Sequence, residues 1–495
     1  MLPTRLYTAD QVKTGEVLAA KVAGIEMYTL MTRAGQAVFD VLRLEYPECK
    51  TICVVCGGGN NGGDGYVVAR LALIEGFNVR LVQHGNANKL SGDAATARDE
   101  YIKAGGLVSE EIGTFASLST VIIDALLGTG LKGEVRQSTA TLIHDVNSTN
   151  SPVIAIDIPS GLCSDTGTNL GETIIAAHTV SFIGLKQGLM TGSARDFVGK
   201  LHFAGLNVDK HFDKGNVCSA EILQSIDLEC AFMQRTQSAH KGSHGKALLV
   251  GGNEGMGGAI LITGSACVRT GCGLTAMLTH RANLHAALVH TPEVMSGDWG
   301  NNELFEKRLS WADVLAFGPG FGLDEESEQR FLTLSQSSKS KVVDADALTL
   351  LANHTFKDDN RIITPHPGEA AKLLDVTVKE IESDRYQAIK TLQRKYGGIV
   401  ILKGAGTLVC DGGQVDVCAA GNPGMASGGM GDLLTGILVS LLAQRYSLSE
   451  SAKLGVLLHS VAADIEAKKN GEIGLLASDL LPHIRTLVNN RNVEY

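Results

Sequence analysis

Two aspartates close glycine-rich stretches in this chain. Asp64 ends Gly57-Gly58-Gly59-Asn60-Asn61-Gly62-Gly63, and Asp432 ends Gly428-Gly429-Met430-Gly431. Glycines let backbone amides approach a ligand closely, and a helix start behind them favours an anion. A carboxylate held there can take a proton from a substrate hydroxyl. The first stretch has neither the GK[ST] ending of a phosphate loop nor a standard GxGxxG opening. Its Asn60, Asn61 and Asp64 supply more polar atoms than a turn requires, which points to a bound molecule.

Three more strand ends fall in line with it. Asp124 ends VIIDALLGTG and leads into Gly128-Thr129-Gly130-Leu131-Lys132-Gly133-Glu134, while Asp157 in VIAIDIPSG is followed by Ser160. Carboxyl ends of parallel strands converge on one sheet edge, where ligands bind. Asn61, Asp124 and Ser160 are hard oxygen donors, and this mixed neutral and acidic set suits K⁺ better than a transition metal. Asp64 and Asp157 remain for ligand contact or proton transfer.

In the second half, Lys403-Gly404-Ala405-Gly406-Thr407 places a cation, two glycines and a hydroxyl at a turn suited to nucleotide phosphate or ribose. Asp344 and Asp346 end another strand, where either can orient a site or cap the next helix. His366 stands between Pro365 and Pro367, which fix the backbone around it for ligand contact. Gly318-Pro319-Gly320 allows a further close backbone approach.

These residues need strands that end together. Apolar runs at 51–56, 78–83, 120–124 and 153–157 alternate with helical stretches at 65–75, 91–104 and 140–147. Helices precede them in 8–46, and 178–183 and 200–204 extend the sheet. A polar segment over roughly 209–244 reads as the connection between domains. Strands are expected again at 246–251, 286–290, 313–317, 340–343, 361–364 and 399–402, with closing helices at 430–443 and 449–467. Such alternation gives parallel sheets covered on both faces.

At 495 residues the chain fits two domains. Its net charge of −10 argues against a general nucleic-acid surface. No signal peptide, transit peptide or membrane span is evident. Ten cysteines are too sparse for a disulfide scaffold, so a reduced, cytoplasmic setting is expected. Cys53 and Cys56 form a CxxC inside an apolar strand; three residues apart they face opposite sides, so buried packing is expected rather than redox or metal use.

GGGNNGGDG, DALLGTGLKG and AIDIPSG, in this order, resemble the N-terminal domain of the bifunctional NAD(P)H-hydrate repair enzymes, the NAD(P)HX epimerases. The second half resembles the C-terminal, ADP-dependent (S)-NAD(P)H-hydrate dehydratase domain of the same family. It does so through GNEGMGGAILITGSACVRTGCG, GPGFG, DADAL, TPHPGEAAKLL, KGAGT and GNPGMASGGMGDLLTG. The resemblance implies two three-layer α/β domains, Rossmann-like over 1–215 and ribokinase-like over 225–495. It implies K⁺ on Asn61, Asp124 and Ser160. Contact with the hydrated nucleotide is implied for Asn60, Asn61, Gly62, Gly63, Asp64, Gly128 to Glu134 and Asp157. In the second domain it assigns Ala259, Gly320, His366 and Asp432 to the hydrated dinucleotide, and residues 403 to 407 with Gly431 to the adenine nucleotide. The first glycine loop departs from the more usual GSxx form by reading GNEG.

The implied chemistry is interconversion of the C6 epimers of NADHX and NADPHX, then dehydration of the S form with ADP as phosphoryl donor, giving AMP and phosphate. Asp157 is expected to carry protons in the first reaction and Asp432 to be the base in the second, with Mg²⁺ on the donor phosphates. The family also implies a homo-oligomer. Competing readings are a vitamin-precursor kinase fused to a binding domain, against which the N-terminal motifs argue, and a non-catalytic N-terminal module, against which Asn61, Asp124, Asp157 and Ser160 argue.

Overall fold

The computed structural model describes residues 2–109, 120–232 and 234–489. The chain divides into two units, Met1–Glu221 and Ile222–Tyr495.

The first unit is built on a parallel sheet. Its strand order is Val108–Ser109, Asn78–Gln83, Thr51–Cys56, Thr120–Ala125, Val153–Ile156, His178–Phe182 and Lys200–Ala204. Strands two to five are nearly continuous apolar runs because helices cover both faces. Val54, Cys56, Ile123 and Ile154 pack in one cluster with residues of the helices Met27–Glu45, Asn60–Ile74 and Gly92–Lys103. Cys53, Val55, Ile122 and Ala155 pack in another with the helix Gln137–Asn147. Cys53 and Cys56 therefore lie on opposite faces, both buried, and burial pushes the Cys53 thiol up to about 12. The short strand Arg5–Tyr7 pairs in parallel with Leu185–Lys186, with Tyr7 opposite Lys186.

One boundary departs from expectation for a physical reason. The helix expected from Gly65 begins at Asn60, so the asparagines and glycines form its first turns. A Cβ on Gly62 would sit 2.1 Å from the Gly57 carbonyl oxygen, one on Gly63 2.7 Å from Met31, and one on Gly65 2.6 Å from Ala125. Glycine here serves close helix packing, which offsets its poor helix propensity.

The second unit holds a sheet ordered Met295–Asp298, Leu274–Thr279, Lys246–Val250, Val314–Phe317, Lys341–Val343, Arg361–Ile363, Ile399–Leu402, Thr407–Cys410 and Val415–Cys418. All pairs are parallel up to Ile399–Leu402, and the last two are antiparallel. The strand expected at 286–290 is instead the helix Leu284–His290. Leu288 and Val289 in that run are exposed and only Ala287 turns inward, so its apolar residues do not serve a sheet. The helices Gly257–Thr270 and Met430–Ala443 pack at backbone distance: a Cβ on Gly436 would lie 2.3 Å from the Thr263 oxygen. Among the described residues no helix is long and apolar enough to cross a membrane.

Candidate active sites

In the first unit Asn61, Asp124 and Ser160 meet around Leu127. The Asn61 amide donates to the Leu127 oxygen (3.1 Å), and Leu127 N donates to Ser160 Oγ (2.8 Å). Ser160 gives Asp124 two hydrogen bonds, from Oγ at 2.6 Å and from N at 2.8 Å. Asp124 is fully buried, and burial pushes its carboxyl up to about 6 although the serine bonds favour the charged form. Gly128 packs against Asn61, and the turn that follows to Glu134 is largely exposed. Asn60, Gly58 and Gly59 are exposed beside it, whereas Gly57 and Gly62 are spent on packing.

Asp157 follows the strand Val153–Ile156 with a φ of 63°, a strained conformation for a residue other than glycine. The surrounding bonds hold it there. Its Oδ1 accepts from Phe182 N (3.1 Å) and Ser181 Oγ (3.2 Å) and forms an ion pair with Lys186. Lys186 is 1% exposed, and its ammonium also donates to the Phe182 oxygen at 3.1 Å. The bonds to Asp157 from Ser181, Phe182 and Lys186 all fall on Oδ1, and among the described residues Oδ2 has no hydrogen-bond partner.

Asp64 and Glu16, from the helix Ala9–Ala23, lie in the same electrostatic field. Burial, then Asp157 and Glu16, drive Asp64 well above the carboxylate range, with Lys186 opposing. Burial raises Glu16 to about 7 against the pull of Lys186. Lys186 thus bonds Asp157 directly and opposes the rise of Asp64 and Glu16 through its field. The sequence reading missed Lys186 and Glu16; the one available signal was a lysine directly after the largely apolar run Val180–Leu185.

In the second unit Asp432 lies in the first turn of Met430–Ala443, behind Gly429 at φ 89°. Burial is the main cause that lifts its carboxyl to about 6; Asp344 adds to it and Lys403 opposes it. Lys403 bonds Asp344 Oδ1 at 2.8 Å and stands 3.8 Å from Glu369. The other Asp344 oxygen accepts from Thr435 Oγ1 at 2.8 Å. Asp344 therefore holds Lys403 and Thr435, while Asp346 accepts from Gly322 N (2.8 Å) at the start of its helix. A Cβ on Gly431 would sit 3.3 Å from the Lys403 ammonium, so the absent side chain keeps that cation accessible. The turn after Lys403 needs Gly404 at φ 137° and Gly406 at φ 63°; Thr407 closes it onto the Gly404 oxygen (2.9 Å).

Ala259 and Gly320 come together, since a Cβ on Gly320 would meet Ala259 at 3.3 Å. The Asn253 amide of the GNEG turn donates to the Gly320 oxygen (2.6 Å). Thr263, one turn beyond Ala259, donates to the Asp432 backbone oxygen (3.1 Å). His366 has a structural role besides its exposed ring. Its Nδ1 accepts from the amides of Gly368 (3.0 Å) and Glu369 (3.3 Å), capping the helix Pro367–Leu374. A further buried group, His459, escaped the sequence reading. Among the described residues its Nε2 has no hydrogen-bond partner, and burial and then the charge of Lys403 push it down to about 4.

Comparison with known proteins follows this division. Residues 27–188 match the family described as YjeF-related protein N-terminus, and residues 247–486 match NAD(P)H-hydrate dehydratase. The bifunctional NAD(P)H-hydrate repair enzyme Nnr of Vibrio cholerae is 52% identical over 488 residues, covering 99% of both chains. That of Escherichia coli is 43% identical over 489 residues, covering 99% of this chain and 95% of the relative. A ribokinase-like superfamily protein of Enterococcus faecalis, 30% identical, superposes with a TM-score of 0.51 over 54% of this chain and 94% of its own. The fold is thus Rossmann-like in the first unit and ribokinase-like in the second, and the chain belongs to the bifunctional NAD(P)H-hydrate repair enzymes.

Proposed function

We infer that this chain repairs hydrated NADH and NADPH in two steps: the first unit epimerises (R)- and (S)-NAD(P)HX, and the second dehydrates the S form with ADP. The observation that carries the reading is the raised Asp432 carboxyl beside the Lys403–Asp344 pair at a glycine-rich helix start. Hydroxide leaves poorly, so the C6 hydroxyl must first become a better leaving group. Asp432 takes its proton as the oxygen attacks the β-phosphorus of ADP; the bond to the bridging oxygen breaks and AMP departs. The ring nitrogen then expels phosphate from C6, and loss of a proton from the adjacent ring carbon restores NAD(P)H. Lys403, with residues 404 to 407 and Gly431, meets the ADP phosphates and ribose. Mg²⁺ bound to those phosphates would neutralise their charge. Ala259, Gly320 and His366 line the approach of the hydrated dinucleotide.

In the first unit the same ring nitrogen expels the C6 oxygen, and water returns to either face of the iminium ion. That exchange needs one group to protonate the departing oxygen and one to take a proton from the entering water. The Asp157–Lys186 pair, with the carboxyls of Asp64 and Glu16 held high by burial, suits this traffic and the passing positive charge. Asn60 to Asp64 and Gly128 to Glu134 contact the nucleotide. The oxygens of Asn61, Asp124 and Ser160 fit a monovalent cation: the set is hard and mostly neutral, and burial has raised the Asp124 carboxyl. K⁺ there would add fixed positive charge and hold the Gly128 turn.

The test is incubation of the whole protein with racemic NADHX, with and without ADP, following the absorbance of restored NADH. Complete conversion that requires ADP supports both activities. An Asp157→Ala control should stop near half conversion, apart from slow spontaneous epimerisation. ADP-independent dehydration would defeat the reading.

A further inference from the structure

Away from both sites, Glu45, His178 and His202 each offer a ligand atom, and the three atoms lie within 4.8 Å of one another. They come from three elements. Glu45 is the last residue of the helix Met27–Glu45, His178 opens the strand His178–Phe182, and His202 is central in the neighbouring strand Lys200–Ala204. His178 Nδ1 faces His202 Nε2 at 3.0 Å, and His202 Nε2 stands 4.0 Å from Glu45 Oε1. Nitrogens on a tetrahedral cation at about 2.0–2.1 Å are roughly 3.3 Å apart, close to the hydrogen bond that joins these imidazoles, so an ion would take the place of their shared proton. The Tyr46 ring meets His178 edge-on at 5.4 Å and fixes that ring. His202 also lines a surface cavity of about 530 Å³.

We propose that Glu45, His178 and His202 form a site for a late first-row divalent cation, Zn²⁺ foremost, that ties the end of the Met27–Glu45 helix to the sheet edge. Two imidazoles and one carboxylate with an open fourth position are the donors such ions prefer, and they differ in kind from the all-oxygen set at Asp124. Lys200, 2.6 Å from Glu45 Oε1, is the resident cation. Its side chain is 62% exposed, so it leaves easily when a divalent ion arrives. The same helix packs Met31 against Gly63, so the ion would stiffen the support beneath the first glycine stretch.

The experiment uses the full-length chain without an affinity tag, stripped with chelator. Zn²⁺ is titrated by calorimetry, and Co²⁺ by visible absorption. One equivalent per chain is expected, with the intense visible bands of a four-coordinate Co²⁺ site and a Zn²⁺-dependent rise in Tm. His178→Gln and His202→Gln should each weaken binding by more than about 100-fold, beyond the loss of an outer-shell partner. Glu45→Gln, which leaves the histidine pair in place, should weaken it as well and flatten the Tm response. Wild-type protein without a site for Zn²⁺, or variants that bind with unchanged stoichiometry and affinity, would overturn the proposal.

Discussion

Replacing Lys186 with methionine tests the charge balance of the first site. Methionine keeps most of the buried stem, so the perturbation is chiefly loss of the ammonium. Lys186 is 1% exposed and Asp157 16%, and breaking such a buried pair costs about 3–5 kcal/mol because the remaining charge is left uncompensated. Here the outcome depends on pH. Lys186 is what restrains the carboxyls of Asp64 and Glu16, which burial already holds high, Glu16 at about 7. Without it they rise further, so the folded variant binds more protons than the folded wild type above pH 6. Linkage then fixes the sign: a folded state that holds one extra proton loses about 1.4 kcal/mol of stability, relative to wild type, for each pH unit gained. Because wild-type Glu16, at about 7, gives up its proton across this interval, the deficit should grow by about 1.4 kcal/mol from pH 6 to pH 8.

The chain supplies a convenient assay. Its two tryptophans, Trp299 and Trp311, both belong to the second unit. Urea unfolding of the full chain followed by far-UV circular dichroism reports both units, while tryptophan fluorescence reports the second. Lys186→Met should shift the first unit's share of the dichroism transition to lower urea, more at pH 8 than at pH 6. A deficit below about 1 kcal/mol, or one that stays constant over those two pH units, would refute this charge balance.

Three further outcomes are expected. Asp432→Asn should reduce ADP-dependent dehydration by at least about 100-fold while ADP binding by calorimetry persists, and wild-type dehydration should fall about tenfold per pH unit below about 6 as the base protonates; loss of ADP binding with the rate, or a flat acid limb, would contradict the assigned base. Gly62→Ala places a Cβ 2.1 Å from a backbone oxygen and should destabilise the first unit by about 3 kcal/mol in the same urea assay, whereas Gly59→Ala, where the Cβ meets open space, should change stability by less than about 1 kcal/mol. Ser160→Ala removes the hydroxyl that joins Asp124 to Leu127 and should abolish any advantage of KCl over NaCl in epimerisation rate; an equal KCl response in wild type and variant would separate the cation from this cluster.

What the chain reveals before folding follows from where its information is local. Strand ends can be read because a parallel sheet buried on both faces demands apolar runs, and a polar residue at the end of such a run stands out; Asp124 and Asp157 announce themselves this way, whereas Asp432 is marked by the glycines before its helix. Glycine is more ambiguous. Gly62 and Gly65 read as a ligand loop, yet both allow a helix to lie against neighbouring backbone and side chains, a demand set by residues distant in sequence. Asp344 could cap or orient, and only the arrival of Lys403 and Thr435 from two other elements decides it. Lys186 and Glu16 are the hardest to foresee. Glu16 sits on an amphipathic helix where a carboxylate is ordinarily unremarked, and Lys186 lies in a two-residue strand that exists because Arg5–Tyr7 pairs with it. Their significance comes from a shared field around Asp157, which no local pattern encodes. The proton-handling half of a site is therefore less visible than its anion-binding half: amides are gathered by contiguous glycines, whereas a tuned set of acids is gathered by the fold.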